Sequence, residues 1–555
     1  MENTNNKIRS LYTKNLIIFL IVFFGIFGSV KNSQAVYTPP VGIPAPPFGI
    51  NEVVPTTATQ CLNWPSSATV NCYYIDKDYP SATDINNIYG YPNVPRVSIP
   101  TTLAAGSYVE IHNSAGGAYT GTDMTITGNG TASNPVWIRG SSSVTKPTIR
   151  RAIAIRGSYM IIENLYFDTD RKDVSINLAN YISFRNNEMA GPGINSGNTA
   201  AVAVSDSSYI VIYNNRIHDW GNKNDTLEND YHGVKVSSGS NSIWVLNNEI
   251  YNNGGDSIQT AFTTGAYVYI GGNTFYGNKE NAIDVKQGNH VIISENHAYG
   301  FLPSLTSAGT AITIHYLPDN VWVIRNKVHD STNGIFTTGS VNAYFVGNLV
   351  YNIHHSGAWD PSSSYQDGTA FHSRGSTGIT YVIGNTIDNA DIGIQTSNDP
   401  IIIYNNIISN RAMSDGNDIH SGTLNALTDA DYNLIYNSYG TARVKWGSAG
   451  TFTSINSFNS ATGKCANCIQ SNPLYTNPAV SVYTLSAGSP AINRAMANFV
   501  YQKFYDTYGI DIRFAIDGTP RPQDGVWDIG AYEYVGAAPP PDTTPPAAPS
   551  GVSVL

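Results

Sequence analysis

Lys235, Gln259, Asp284, Thr313, Phe336 and His372 occupy equivalent places in six short segments that alternate apolar with other residues. The segments are VKV at 234–236, IQT at 258–260, IDVK at 283–286, ITIH at 312–315, IFT at 335–337 and FHSR at 371–374. With the apolar residues pointing inward, a period of two puts those six positions in one outward column. Lys286, His315 and Arg374 fall in the column two residues on. Strands stacked at about 4.8 Å would make Lys286 and His315 neighbours, with Arg374 two strands beyond His315. Such a face suits removal of a weakly acidic proton beside a carboxylate. A lysine or arginine of depressed pKa takes the proton, and adjacent cations neutralise the charge that develops. Lys286 or Lys235 is the expected base, and His315, His372 and Arg374 are the expected binders or proton donors. Asp284 and Gln259 are expected substrate contacts.

Other residues extend this set. The acidic loop GNKNDTLEND (221–230) leads into the Lys235 segment, and Asp256 opens the next. Asp225, Asp230 and Asp256 offer the oxygen ligands that Ca²⁺ takes. A long insertion between Asn348 and Asn385 carries His354-His355, Trp359 and Tyr365. Its aromatic residues, with Trp220, are expected stacking platforms, since long insertions on a rigid scaffold are where binding is usually placed. A plainer reading stands beside each: solvated surface lysines, an Asp284–Lys286 ion pair worth little, an ordinary polar turn.

What positions these residues is a repeat. The pattern apolar–x–apolar–x–x–Asn–x–apolar recurs with its asparagine at Asn164, Asn187, Asn215, Asn248, Asn273, Asn296, Asn326, Asn348, Asn385 and Asn406. Successive asparagines lie 21 to 37 residues apart, so a coil of a little over twenty residues sometimes takes an insertion. The segments alternate by two and show no 3.6-residue amphipathic runs, which excludes a helical solenoid. Short strands stacked coil on coil predict an all-β parallel β-helix with coils of roughly 21–25 residues. The asparagines read as structural: they tolerate left-handed backbone at a turn, and their amides can bond to those above and below.

The remaining chain divides around that repeat. Residues 1–35 read as a signal peptide: Lys7, Arg9 and Lys14 precede an apolar run from Leu16 to Val30, followed by Ser33-Gln34-Ala35. That run is short for a membrane span, and none is expected after cleavage. Residues 36–100 are Pro-rich and irregular, 101–495 form the solenoid, 496–536 close it, and 537–555 form a Pro-rich linker resembling the start of a fibronectin type III domain. Cys61 with Cys72, and Cys465 with Cys468, are expected disulfides of an exported chain. The net charge is −10, only 13% of residues are charged, and no basic run points to nucleic acid.

Several stretches resemble a known group. GTASNPVWIRG (130–140) is followed by RGSYMIIENLYF (156–167), and the far end carries NPLYTNP, LSAGSPAIN and DGTPRPQDGVWDIGAYEY. These are similar to the opening and closing coils of secreted right-handed parallel β-helix proteins, including polysaccharide lyases of the alginate lyase and chondroitinase B kind. The resemblance spans roughly Tyr108 to Tyr534 and implies a right-handed β-helix, an extracellular setting and a polysaccharide partner. That fold hosts lyases, hydrolases, epimerases and adhesins, so the reaction must be argued from the site. Two functions follow as expectations: a monomeric lyase acting on an acidic glycan, or a non-catalytic adhesin or carbohydrate-binding rod.

Overall fold

The computed structural model describes residues 37–54, 61, 66–168, 173–191, 197–226, 229–237, 239–261, 267–305, 307–357 and 367–536. The leader 1–35, Trp359, Tyr365 and the tail 537–555 lie outside the described residues.

The repeat forms a parallel β-solenoid with three strands per turn, one more than the sequence pattern displays. In the first sheet Tyr231–Ser237, Ile258–Ala261, Ile283–Lys286, Thr310–His315, Asn333–Thr338, Thr369–Arg374, Ile392–Ser397 and Asn417–Ser421 stack in order. The second sheet holds the strands that precede each asparagine, such as Asn289–Ser294 and Asp319–Ile324. The third holds the strands that follow it, thirteen among the described residues. Many third-sheet strands have only three residues, for example Thr274–Tyr276 and His297–Tyr299. Each contributes a single inward residue, so a period of two cannot show in it.

Packing makes the turns mutually dependent. Inward residues in register, such as Ile283, Ile312, Ile335 and Phe371, are fully buried. Burying one such side chain is worth roughly 1.5–3 kcal/mol, realised only when the next turn covers it. At the corner between the second and third sheets the asparagines form a ladder. The backbone N–H of each from Asn187 to Asn406 donates to the side-chain oxygen of the next, at 2.8–3.0 Å, ending on Asn433. The left-handed residue is the one before the ladder position: Asn186, Asn214, Asn247, Glu295, Arg325 and Asn405 have φ of 52–61°. Asn164 belongs to that left-handed set, and Leu165 donates to Asn187 in its place.

The solenoid also starts earlier and stops sooner than the 101–495 span. Cys72–Ile75 pairs in parallel with Tyr108–Ile111, and Cys72 is bridged to Cys61. The last third-sheet strand is Ile469–Gln470, just after the Cys465–Cys468 disulfide. Helix α1 (Ile455–Thr462) closes that end, its Phe458 ring against Trp446 and Phe452. Helix α2 (Phe499–Tyr508) lies on the outer face of the second sheet, where Phe504 meets Trp322 edge-on at 4.8 Å. Residues 39–52 cover the same sheet: Trp244 Nε1 donates to Pro44 O, Ser294 Oγ to Val41 O and Ser183 Oγ to Gly49 O. The second sheet is thus covered by the chain's own segments. No helix among the described residues is long and apolar enough to cross a membrane.

Candidate functional site

The pairing register places the expected columns on the outward face of the first sheet. Lys235, Gln259, Asp284, Thr313, Phe336 and His372 are successive partners, and the column continues through Gln395 and His420. Lys286 pairs with His315, and Thr338 stands between His315 and Arg374. A cleft of about 590 Å³ opens over this sheet, lined by Asn198, Asp230, His232, Lys235, Ser237, Gln259, Ala261, Lys286 and Tyr316.

Within it the two lysines differ. Lys286 Nζ lies 3.1 Å from Asp284 Oδ2, and His315 Nε2 lies 2.6 Å from Asp284 Oδ1. Burial lowers the Lys286 pKa, but the carboxylates of Asp284, Asp256 and Glu280 outweigh it, so the net shift is upward. Lys286 is therefore a persistent cation rather than the base its position suggested. Lys235 makes no ion pair among the described residues. Asp284 is buried between Lys286 and His315, which take one carboxylate oxygen each, and presents no free edge to a substrate.

Below the cleft lies a network that the sequence reading missed. Asp256 is wholly buried. Its Oδ1 accepts from the Asn281 backbone N–H and Nδ2, and its Oδ2 from Gln259 Nε2, with His232 Nδ1 3.3 Å away. Burial opposes its ionisation, yet the contacts from His232 and Asn281 hold its pKa below the ordinary carboxylate value. Gln259 is thereby fixed. His232 lies three residues before Lys235 on one strand, a signal hidden because the VKV segment reads as the strand's start when it begins at Tyr231. Tyr316, 58% exposed, follows His315 at the rim and packs against its ring at 4.4 Å.

Three further expectations change. Trp220 is fully buried in the core, with Nε1 donating to Thr199 Oγ1, and is not a stacking platform. Asp225, Asp230 and Asp256 do not converge; among the described residues Asp256 is grouped with His232 and Glu280, their ligand atoms within 4.8 Å of one another. That group suits Ca²⁺ poorly, since one donor is an imidazole and both Asp256 oxygens already accept N–H groups. His372 faces outward in register but is 1% exposed against Phe336, and burial, then the charges of Arg374 and His420, push its imidazole down to about 3. It is neutral at pH 7 and supplies no charge. His354 and His355 are both tied to the buried Asp391, at 3.4 and 2.6 Å.

The family model for the right-handed β-helix region matches residues 107–350 and 261–381. Among solved structures, the chain is similar to a lacto-N-biosidase of family GH136 from Eubacterium ramulus, at 14% identity over 66% of this chain and 67% of that one, TM-score 0.40. It is similar to an alginate lyase from Paenibacillus sp. str. FPU-7, at 15% identity over 59% and 94%, TM-score 0.31. The pectate lyase Pel9A aligns at 14% identity over 83% and 96%, TM-score 0.40. No curated protein matches. The chain is a right-handed parallel β-helix protein.

Proposed function

We propose that the chain is an exported polysaccharide-active protein that cleaves a uronate-containing glycan by β-elimination in the cleft over Lys235 and Lys286. The observation that carries this reading is the contrast between the two lysines, one without a carboxylate partner among the described residues and one held cationic by Asp284. Elimination needs both: a base for the proton on C5, and a fixed charge beside the sugar carboxylate that absorbs the developing negative charge. Lys235 takes the proton and Lys286 faces the carboxylate. The C5–H electrons form the C4=C5 double bond, the C4–O bond breaks, and the leaving oxygen takes a proton from His315 or Tyr316. Gln259, braced on Asp256, orients the sugar. If the reaction uses Ca²⁺, Asp230, which lines the cleft and whose Oδ1 has no hydrogen-bond donor among the described residues, would hold it, and the ion would supply further positive charge beside the sugar carboxylate. The leader-like sequence and the two disulfides support export.

A second reading, a non-catalytic glycan-binding rod, draws support from the face neutralising its own charges at Asp284 and burying His372. Absorbance of the unsaturated uronate, followed with alginate, pectate and glycosaminoglycans with and without Ca²⁺, separates the two. A rise abolished by Lys235→Ala establishes elimination. Binding without any rise in absorbance establishes the rod.

A further inference from the structure

The third sheet carries a cluster the cleft does not use. Rings from six successive turns stack along it: His218 on Tyr251 at 5.0 Å, Tyr251 on Tyr276 at 4.7 Å, Tyr276 on Tyr299 at 5.2 Å, Tyr299 on His329 at 5.1 Å and His329 on Tyr351 at 4.7 Å. His329 is thus clamped between two tyrosines, and its Nδ1 lies 2.7 Å from Asp330 Oδ2. With Nδ1–H donating to that carboxylate, Nε2 carries a free lone pair. That lone pair meets a second imidazole: His297 Nε2 is 2.7 Å away, one turn below.

We propose that His297 and His329 form a two-imidazole binding site for a borderline divalent transition metal such as Cu²⁺, Ni²⁺ or Zn²⁺. Two nitrogens bound to one tetrahedral ion at about 2.1 Å stand about 3.4 Å apart, so the rings need to part by well under 1 Å. The carboxylate behind His329 is the outer partner that metal-bound histidines use to fix tautomer and ring orientation. Asp330 is itself held by Asn352 Nδ2 at 3.0 Å. Lys327 is the cation nearest in register to His297, but its Nζ sits over the Tyr351 ring at 5.6 Å, where a cation–π contact holds it. His297 also lines a cleft of about 490 Å³ with Glu295, Lys327 and Asp517, which leaves a path for the ion and room for water or a further oxygen donor. Imidazole nitrogen in place of oxygen selects against Ca²⁺ and Mg²⁺.

The test uses tag-free protein freed of metal by chelator and titrated with Cu²⁺, read by calorimetry and by the nitrogen superhyperfine pattern in electron paramagnetic resonance. The expected result is one ion per chain with two equivalent nitrogens. His297→Gln and His329→Gln should each weaken binding at least about tenfold, and Asp330→Asn about 10–100-fold, as loss of an outer partner does. Circular dichroism checks that each variant folds. If His329→Gln disturbs the ring stack, His297→Gln decides, since that ring is not a layer of the stack but meets Tyr299 and His329 at a tilt from its side, at 4.9 and 5.0 Å. Absence of stoichiometric binding, or binding that survives both substitutions or is lost in His355→Gln instead, overturns the proposal and leaves the pair as a simple N–H···N hydrogen bond.

Discussion

At Lys286 two physical effects oppose each other, and their balance decides its role. Burial penalises the ammonium, while Asp284 at 3.1 Å, with Asp256 and Glu280 behind it, favours it more strongly. Asp284→Asn removes the largest attraction and leaves the burial penalty, so the Lys286 pKa should fall below its present raised value. Titration of the reductively ¹³C-methylated lysine checks the sign, and an unchanged pKa would show that Asp256 and Glu280 suffice. The same division predicts different kinetic signatures for the two lysines. Lys235→Ala removes the base and should lower kcat by a factor of about 10²–10⁴. Lys286→Ala removes a charge that also binds the ground-state carboxylate, so it should raise KM as well as lower kcat. Equal losses confined to kcat in both variants would mean that the assignment of roles is wrong.

The asparagine ladder is where an element-scale consequence is sharpest. Asn326 Oδ1 accepts the Asn296 backbone N–H at 3.0 Å, and its Nδ2 reaches Ile293 O and Asn348 Oδ1, all buried. Asn326→Ala strands a buried backbone donor and a carbonyl, each costing about 1–3 kcal/mol. The melting onset should drop by several degrees, whereas Asn186→Ala, on the left-handed side of the turn, should act mainly through backbone strain. Equal, negligible effects would mean that water replaces the ladder. The ladder also marks how far the sequence could be read. Its spacing, and the alternation in segments such as IDVK and ITIH, made the fold and the register of Lys235 through His372 legible, because a two-residue period leaves only one face for each side chain. The third strand escaped because three residues carry no period. The fate of Trp220 and His372 escaped because alternation says which way a side chain points, not what covers it. His232 escaped because its strand begins three residues before the alternating VKV, and Glu280 because it lies in a loop that carries no period.

Over the whole molecule, the buried titratable groups set how stability depends on acid. His372 and His420, held at about 3 and 4 by burial first and then by neighbouring cations, bind fewer protons folded than unfolded below about pH 6.5. Their contribution is complete above the unfolded value and is lost as pH falls toward 4 and 3. Asp399 and Asp418 run the other way. Burial, offset in part by their hydrogen bonds and by Arg374 and Arg411, leaves them at about 6, so the folded chain binds more protons than the unfolded one between about 4 and 6. Acidification through that window therefore adds stability. From pH 7 to 6 the histidines act alone, and stability falls. From 6 to 4 the two pairs oppose each other, as do His297 and His329, also lowered by burial, and Asp388 and Asp528, which burial raises. Below 4 the aspartates have no more to give, while Asp256 and Asp391, whose pKa values are held low by His232, His354, His355 and Asn281, begin to protonate and lose those partners. The melting onset should accordingly show a shallow fall, a plateau and a steep drop below about pH 4. Asp399→Asn should tilt the plateau into a decline, because Asp418 alone offsets only part of the loss from the two imidazoles. His372→Gln with His420→Gln should convert it into a rise toward pH 4. If the double variant melts with the wild-type profile, those imidazoles do not gain protons on unfolding, and the outward column at the far end of the first sheet is more open to solvent than its burial implies.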